Sequence, residues 1–112
     1  MERNNVNLKR IVNALEDKKA QDIVILDVRQ IVSYTDHLVI CSGSSSTQVS
    51  AIVYSLEEAF PGKEGPVYLN SSKDDSWWIL DFVDVVVHVF KEDSRAFYNL
   101  ENLWGDSTRI TV

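Results

Sequence analysis

The chain has 112 residues, 45% hydrophobic and 25% charged, which fits one self-sufficient globular domain over residues 1–112. Its apolar runs fall far short of the roughly 18 residues that span a bilayer, its polar Met1-Glu2-Arg3-Asn4-Asn5 start is unlike a signal peptide, and its single cysteine, Cys41, excludes an internal disulfide and fits a reducing cytoplasm. The net charge of −6 arises wholly in residues 57–112, where five basic residues face eleven acidic ones; this disfavours direct binding to nucleic acid and favours a basic protein partner, with simple solvation as the plainer use of the same charges.

Leu8, Ile11, Val12 and Leu15 recur at i, i+3, i+4 and i+7, which predicts an amphipathic first helix. Asn4 or Asn5 caps its start, and it ends near Lys18-Lys19-Ala20, where the helix dipole favours cations. Residues 23–28 are rich in β-branched side chains and predict a strand. Residues 30–36 form a connector, and 37–41 a second strand. The small-polar run Ser42-Gly43-Ser44-Ser45-Ser46 then caps a helix over 47–60, with Val49, Ile52, Val53, Leu56 and Phe60 as its apolar stripe. Pro61-Gly62 stops it. A short strand at 67–69 and a polar turn over 70–76 lead to two further strands, 77–82 and 85–90. Helical turns are expected over 94–103. The order α-β-β-α-β-β-β-α predicts an α/β domain, a mixed sheet packed with helices, and leaves the strand order open.

The most informative stretch is Trp77-Trp78-Ile79-Leu80-Asp81-Phe82. Strand side chains alternate faces, so Trp78, Leu80 and Phe82 share one apolar face, which reads as core. Trp77, Ile79 and Asp81 share the other, and a large aromatic beside a carboxylate is the mix of a surface that grips a partner. The first strand has the same parity, with Val24, Leu26 and Val28 on one face and Ile23, Ile25 and Asp27 on the other. Should the two acid-ending faces align, the sheet would show an apolar surface with acidic edges, and such patches mark interfaces. Self-association through that surface is one further use of it.

Gly43-Ser44, between a strand and a helix, is similar to the glycine-serine corner of nucleotidyltransferases, where backbone N–H groups cradle phosphate. Such enzymes need converging carboxylates for metal, and no Asp-x-Asp follows the corner. Asp81 and Asp84, three apart, fall on opposite faces of a regular strand. A helix-capping turn is the better reading, with nucleotide binding as the alternative. His88 lies on the face of Val86 and Phe90 and reads as a hydrogen-bonded core or interface residue. His37 and Asp36 point apart, and Cys41 behaves as a small hydrophobe. No zinc spacing, Walker loop or Gly-x-Gly-x-x-Gly occurs. No catalytic, cofactor-binding or metal-binding residue is therefore assigned.

Four blocks carry a resemblance. They are Asp22-Ile23-Val24-Ile25-Leu26-Asp27-Val28, Thr35-Asp36-His37-Leu38-Val39-Ile40-Cys41-Ser42-Gly43-Ser44-Ser45, Asp84-Val85-Val86-Val87-His88-Val89-Phe90 and Ser94-Arg95-Ala96-Phe97-Tyr98-Asn99-Leu100-Glu101-Asn102-Leu103-Trp104. In this order and spacing the chain resembles the ribosomal silencing factor family, RsfS, also called Iojap. The resemblance runs from the first helix to Trp104. It implies a nucleotidyltransferase-like fold without catalytic acids, a cytoplasmic protein, and no enzymatic reaction. It also implies binding to protein fourteen of the large ribosomal subunit, which sterically blocks joining of the small subunit and represses translation when nutrients are scarce. The family's binding surface surrounds a Trp-x-x-x-Asp strand, matched by Trp77 and Asp81. Ile79 is added as an apolar neighbour and Asp84 as an acidic rim. The chain departs from the family pattern at Val83, where glycine is usual, at Asn70-Ser71 in place of Glu-Gly, and at Thr47 in place of arginine.

Overall fold

The computed structural model describes residues 3–70, 76–93 and 108–109. The chain runs α1 (Arg3–Asp17), β1 (Gln21–Asp27), β2 (His37–Gly43), α2 (Ser46–Ala59), a single 3-10 turn (Gly62–Glu64), β3 (Val67–Asn70), β4 (Trp77–Asp81), β5 (Val85–Lys91) and β6 (Thr108–Arg109). The order expected up to residue 90 is present, with boundaries moved by a residue or two. The helical turns expected over 94–103 lie outside the described residues. β6 was not expected; it adds two residues antiparallel to β1.

The α1 stripe is buried as its spacing requires, with Leu8, Ile11, Val12 and Leu15 at most 6% exposed. The helix ends in a Schellman turn: Ala20 N–H reaches the Leu15 carbonyl at 3.0 Å and Lys19 N–H the Glu16 carbonyl at 3.0 Å. Lys19 takes the left-handed conformation, φ 59°, that this turn demands. β1 begins at Gln21, before the apolar run, because a bulge between Gln21 and Val24 absorbs Asp22 at φ 50°. Arg10 ties the two helices together at their far end. It donates to the Ala59 carbonyl, pairs with Glu64 at 3.0 Å and lies 4.1 Å over the Phe60 ring.

The six strands are ordered β3-β4-β5-β2-β1-β6. Among the described strands only β2 and β5 pair in parallel; the other pairs are antiparallel. These two central strands are buried along almost their whole length, which is why their sequences are apolar without alternation. Two apolar clusters result. On one face Ile25, Val39, Cys41, Leu80, Phe82, Val85, Val87 and Val89 pack beneath α1 and α2. On the other, Leu26, Val28, Leu38, Ile40, Val86 and Phe90 form a second cluster to which neither α1 nor α2 contributes.

A candidate partner-binding face on β4

Pairing register places Trp77 opposite Phe90, Ile79 opposite His88 and Asp81 opposite Val86. Parity then puts Trp77, Ile79 and Asp81 on the side of the second cluster, with Trp78 and Leu80 beneath the helices, as the alternation in the sequence requires. Trp77 and Ile79 are partly buried and pack against that cluster. Asp81 is partly buried as well, and its Oδ1 accepts the Val83 N–H at 2.7 Å. The face is thus more apolar than a purely polar outer surface would be. It carries its own packed cluster, with Asp81 at one end.

The two acid-ending faces do not align. Ile25 and Ile23 pack with the helix-side cluster, so their partner in parity, Asp27, points to that side of the sheet, while Asp81 points to the other. The reason is register: β1 reaches β4 through β2 and β5, and Leu26, Leu38, Val86 and Asp81 fall in one row. Asp27 instead serves Arg29, whose guanidinium meets Asp27 at 2.6 Å and holds the carboxyl down at about 2. Asp84 is also apart from the β4 trio. It follows the turn and, with Phe60, Lys63, Glu64, Phe82 and Val83, borders a cavity of about 570 Å³ on the helix side. Its carbonyl accepts the amides of Asp36 and His37 at 3.1 and 3.2 Å, which locks the turn onto the connector before β2.

What the sequence did not foresee is how Trp77 is held. Its ring stacks on Phe90, centroids 5.2 Å apart at 19°, and lies 6.0 Å from His88 at 27°. Trp77 Nε1–H also donates to His88 Nδ1 at 3.1 Å. His88 is 8% exposed, and burial pushes its pKa down to about 4, so it stays neutral and keeps Nδ1 as an acceptor. The signal was available: the three-residue connection 82–84 between β4 and β5 sets the hairpin register, and the register alone brings 77 against 90 and 79 against 88.

The glycine-serine corner is taken up by the chain itself. Ser44 N–H and Oγ–H both donate to Gln48 Oε1, at 2.6 and 3.0 Å. The Gln48 amide then donates to the carbonyls of Lys18 and Lys19 at 3.2 and 2.9 Å. Ser45 is the N-cap of α2, its Oγ accepting the Gln48 N–H at 3.2 Å. Gly43 is needed for close approach, since a Cβ there would sit 3.0 Å from Val49 Cγ2 and 3.1 Å from its backbone nitrogen. The corner caps a helix and clamps it to the end of α1, leaving the Ser44 amide committed. Among the described residues no group of three or more His, Cys, Asp or Glu is placed to hold a metal ion. His37 is 3% exposed, and among the described residues its Nδ1 has no hydrogen-bond partner.

Residues 2–112 match the family model described as ribosomal silencing factor during starvation. The chain belongs to the ribosomal silencing factor family. It is 40% identical over 106 residues to the ribosomal silencing factor RsfS of Halalkalibacterium halodurans, covering 94% of this chain and 91% of that one. To RsfS of Bacillus subtilis it is 42% identical over 101 residues, 89% of this chain and 86% of the other. A crystal structure of a Bacillus halodurans protein is similar with a TM-score of 0.79 and 36% identity, over 96% of this chain and 99% of that one. The mixed sheet and its helices are therefore the architecture of this family, as the sequence blocks implied. No helix among the described residues is long and apolar enough to cross a membrane.

Proposed function

We propose that this protein is a ribosome-associated repressor of translation that binds the large ribosomal subunit through its ribosomal protein fourteen and keeps the small subunit from joining. The mechanism is occupancy, with no chemical step. Family membership supports ribosome association, and one structural observation carries the choice of surface. Trp77, Ile79 and Asp81 stand in consecutive same-side positions of β4, on the sheet face to which neither α1 nor α2 contributes. Trp77 offers a stacked, pre-oriented aromatic edge, and Asp81, with Asp84 beyond the turn, offers charge complementary to a basic protein. We assign its place of action to the cytoplasm and its single domain to residues 1–112.

The test is co-sedimentation of the purified protein with separated subunits, followed by rejoining of the subunits in its presence. The protein should travel with the large subunit and lower the yield of joined particles. Trp77→Ala should weaken that binding by roughly 30-fold, about 2 kcal/mol, as for an aromatic interface anchor. Asp81→Arg should do at least as much by placing like charge against a basic surface. Unchanged binding in both variants would move the contact off this face. The nucleotide-binding alternative meets a specific obstacle, because Ser44 N–H already serves Gln48.

A further inference from the structure

Among the described strands β3 is outermost and pairs only with β4. It is also where apolar side chains lie open. Val67 is 62%, Leu69 56% and Tyr68 40% exposed in a domain whose central strands are sealed. Sheet edges are ordinarily protected by charged side chains, by proline within the strand or by a covering element. The strand Val67-Tyr68-Leu69-Asn70 carries no charge and no proline. It is short, it has a bulge between Tyr68 and Asn70, and Pro66 precedes it. An open, apolar, uncharged edge is what strand addition uses, with main-chain hydrogen bonds for affinity and alternate side chains for selectivity.

Position and charge select the occupant. Val67 lies directly across from Asp81 and therefore extends the Trp77 face outward. Val83, 74% exposed, stands at the turn whose amide Asp81 holds. The aliphatic side chain of Val67 thus stands beside Asp81 on that face. On the other side of the edge the Tyr68 hydroxyl bonds Glu57. Asp81, Glu57 and Asp84 make this end of the sheet acidic, with Lys63 as a nearby cation. A second copy of the chain, itself at −6, would bring two such surfaces together. A segment in which apolar residues alternate with Lys or Arg meets both the strip and the acids.

We infer that the edge of β3 receives an extended, basic segment of the partner protein, which joins the six-stranded sheet as a further strand beside β3. This rests on the large-subunit reading above and names its docking mode. The strand is short, so only a few main-chain hydrogen bonds form, and the Trp77 face supplies the rest of the contact.

Hydrogen exchange of the protein, free and mixed with purified large ribosomal subunits, tests it. The amides of residues 67–69 should exchange ~10-fold or more slowly in the mixture. Val67→Lys and Leu69→Lys, both at exposed positions, should each weaken co-sedimentation ~10-fold or more while leaving the thermal midpoint of the free protein in place. Unprotected β3 amides in a protein that still co-sediments, and that loses binding on Trp77→Ala, would overturn the strand-addition mode and leave the large-subunit reading standing. No co-sedimentation at all would overturn both. β3 amides already protected in the free protein, with light scattering showing a dimer that Val67→Lys dissociates, would give the edge to a second copy instead.

Discussion

Trp77 and His88 are joined across the β4–β5 hairpin by a hydrogen bond from Nε1 to Nδ1, 3.1 Å long, between residues that do not face each other directly in the register. The bond fixes the histidine as the tautomer protonated on Nε2 and fixes the plane of the indole. With Phe90 it makes three rings lying within 30° of one another.

Breaking this bond from either side should cost stability by different routes. Trp77→Phe keeps most of the stack and strands His88 Nδ1, for about 1 kcal/mol. His88→Ala strands the indole N–H and opens a buried space, for ~2 kcal/mol or more. Urea titrations of the two single variants and the double variant should give a coupling energy near 1 kcal/mol; additivity within experimental error would mean the bond contributes nothing of its own.

His88 also makes stability depend on pH. Its folded pKa of about 4 lies below the ordinary 6.5, so the unfolded chain binds the proton first. Its contribution is complete above about pH 6.5 and is lost as pH falls toward 4. The slope approaches ~1.4 kcal/mol per pH unit, for a ceiling on the order of 3 kcal/mol. Burial lowers the His37 pKa as well, adding in the same direction. Asp27, held at about 2 by Arg29, acts only further down, between about 3.8 and 2. Urea midpoints should hold between pH 7.5 and about 6.5 and then fall toward pH 4.5 in the parent protein, more shallowly in His88→Asn.

Val83 stands at φ 76°, in a turn closed by Asp84 N–H to the Phe82 carbonyl at 3.0 Å. A β-branched side chain is strained there, and at 74% exposed it gains little from burial. Val83→Gly should therefore stabilise the protein by about 1 kcal/mol, even after the added entropy of the unfolded glycine chain. A lowered thermal midpoint would mean that the valine side chain makes a contact outweighing the strain.

Gln48 bridges the start of α2, the Gly43-Ser44 corner and the last carbonyls of α1 through four side-chain hydrogen bonds. Gln48→Ala should cost ~1–2 kcal/mol, limited because water reaches this surface. Gly43→Ala should cost more, since the Val49 backbone nitrogen that a Cβ would meet cannot rotate away. Thermal melts of both variants decide the order, and an equal or reversed cost would mean that the strand end moves freely from the helix.

Much of this was legible along the chain because the relevant physics is local. The α1 stripe from Leu8 to Leu15, the serine cap of α2 and the alternation in Trp77–Asp81 each depend on neighbours within a turn or a pleat. The core side of β4 followed from parity alone. Non-local pairing was not legible. Asp27 and Asp81 end similar-looking faces, yet β2 and β5 intervene and turn them to opposite sides of the sheet.

Patterns local to the chain set the periodicities, the caps, the acid-rich second half and the four blocks that mark the family. Tertiary structure alone decided the strand order, the commitment of Ser44 to Gln48, the hold of His88 on Trp77 and the openness of the β3 edge. Helix and strand periods are set by the backbone of a single segment. The register between strands is set by which apolar rows can be buried together, and that choice is made only when the whole sheet assembles.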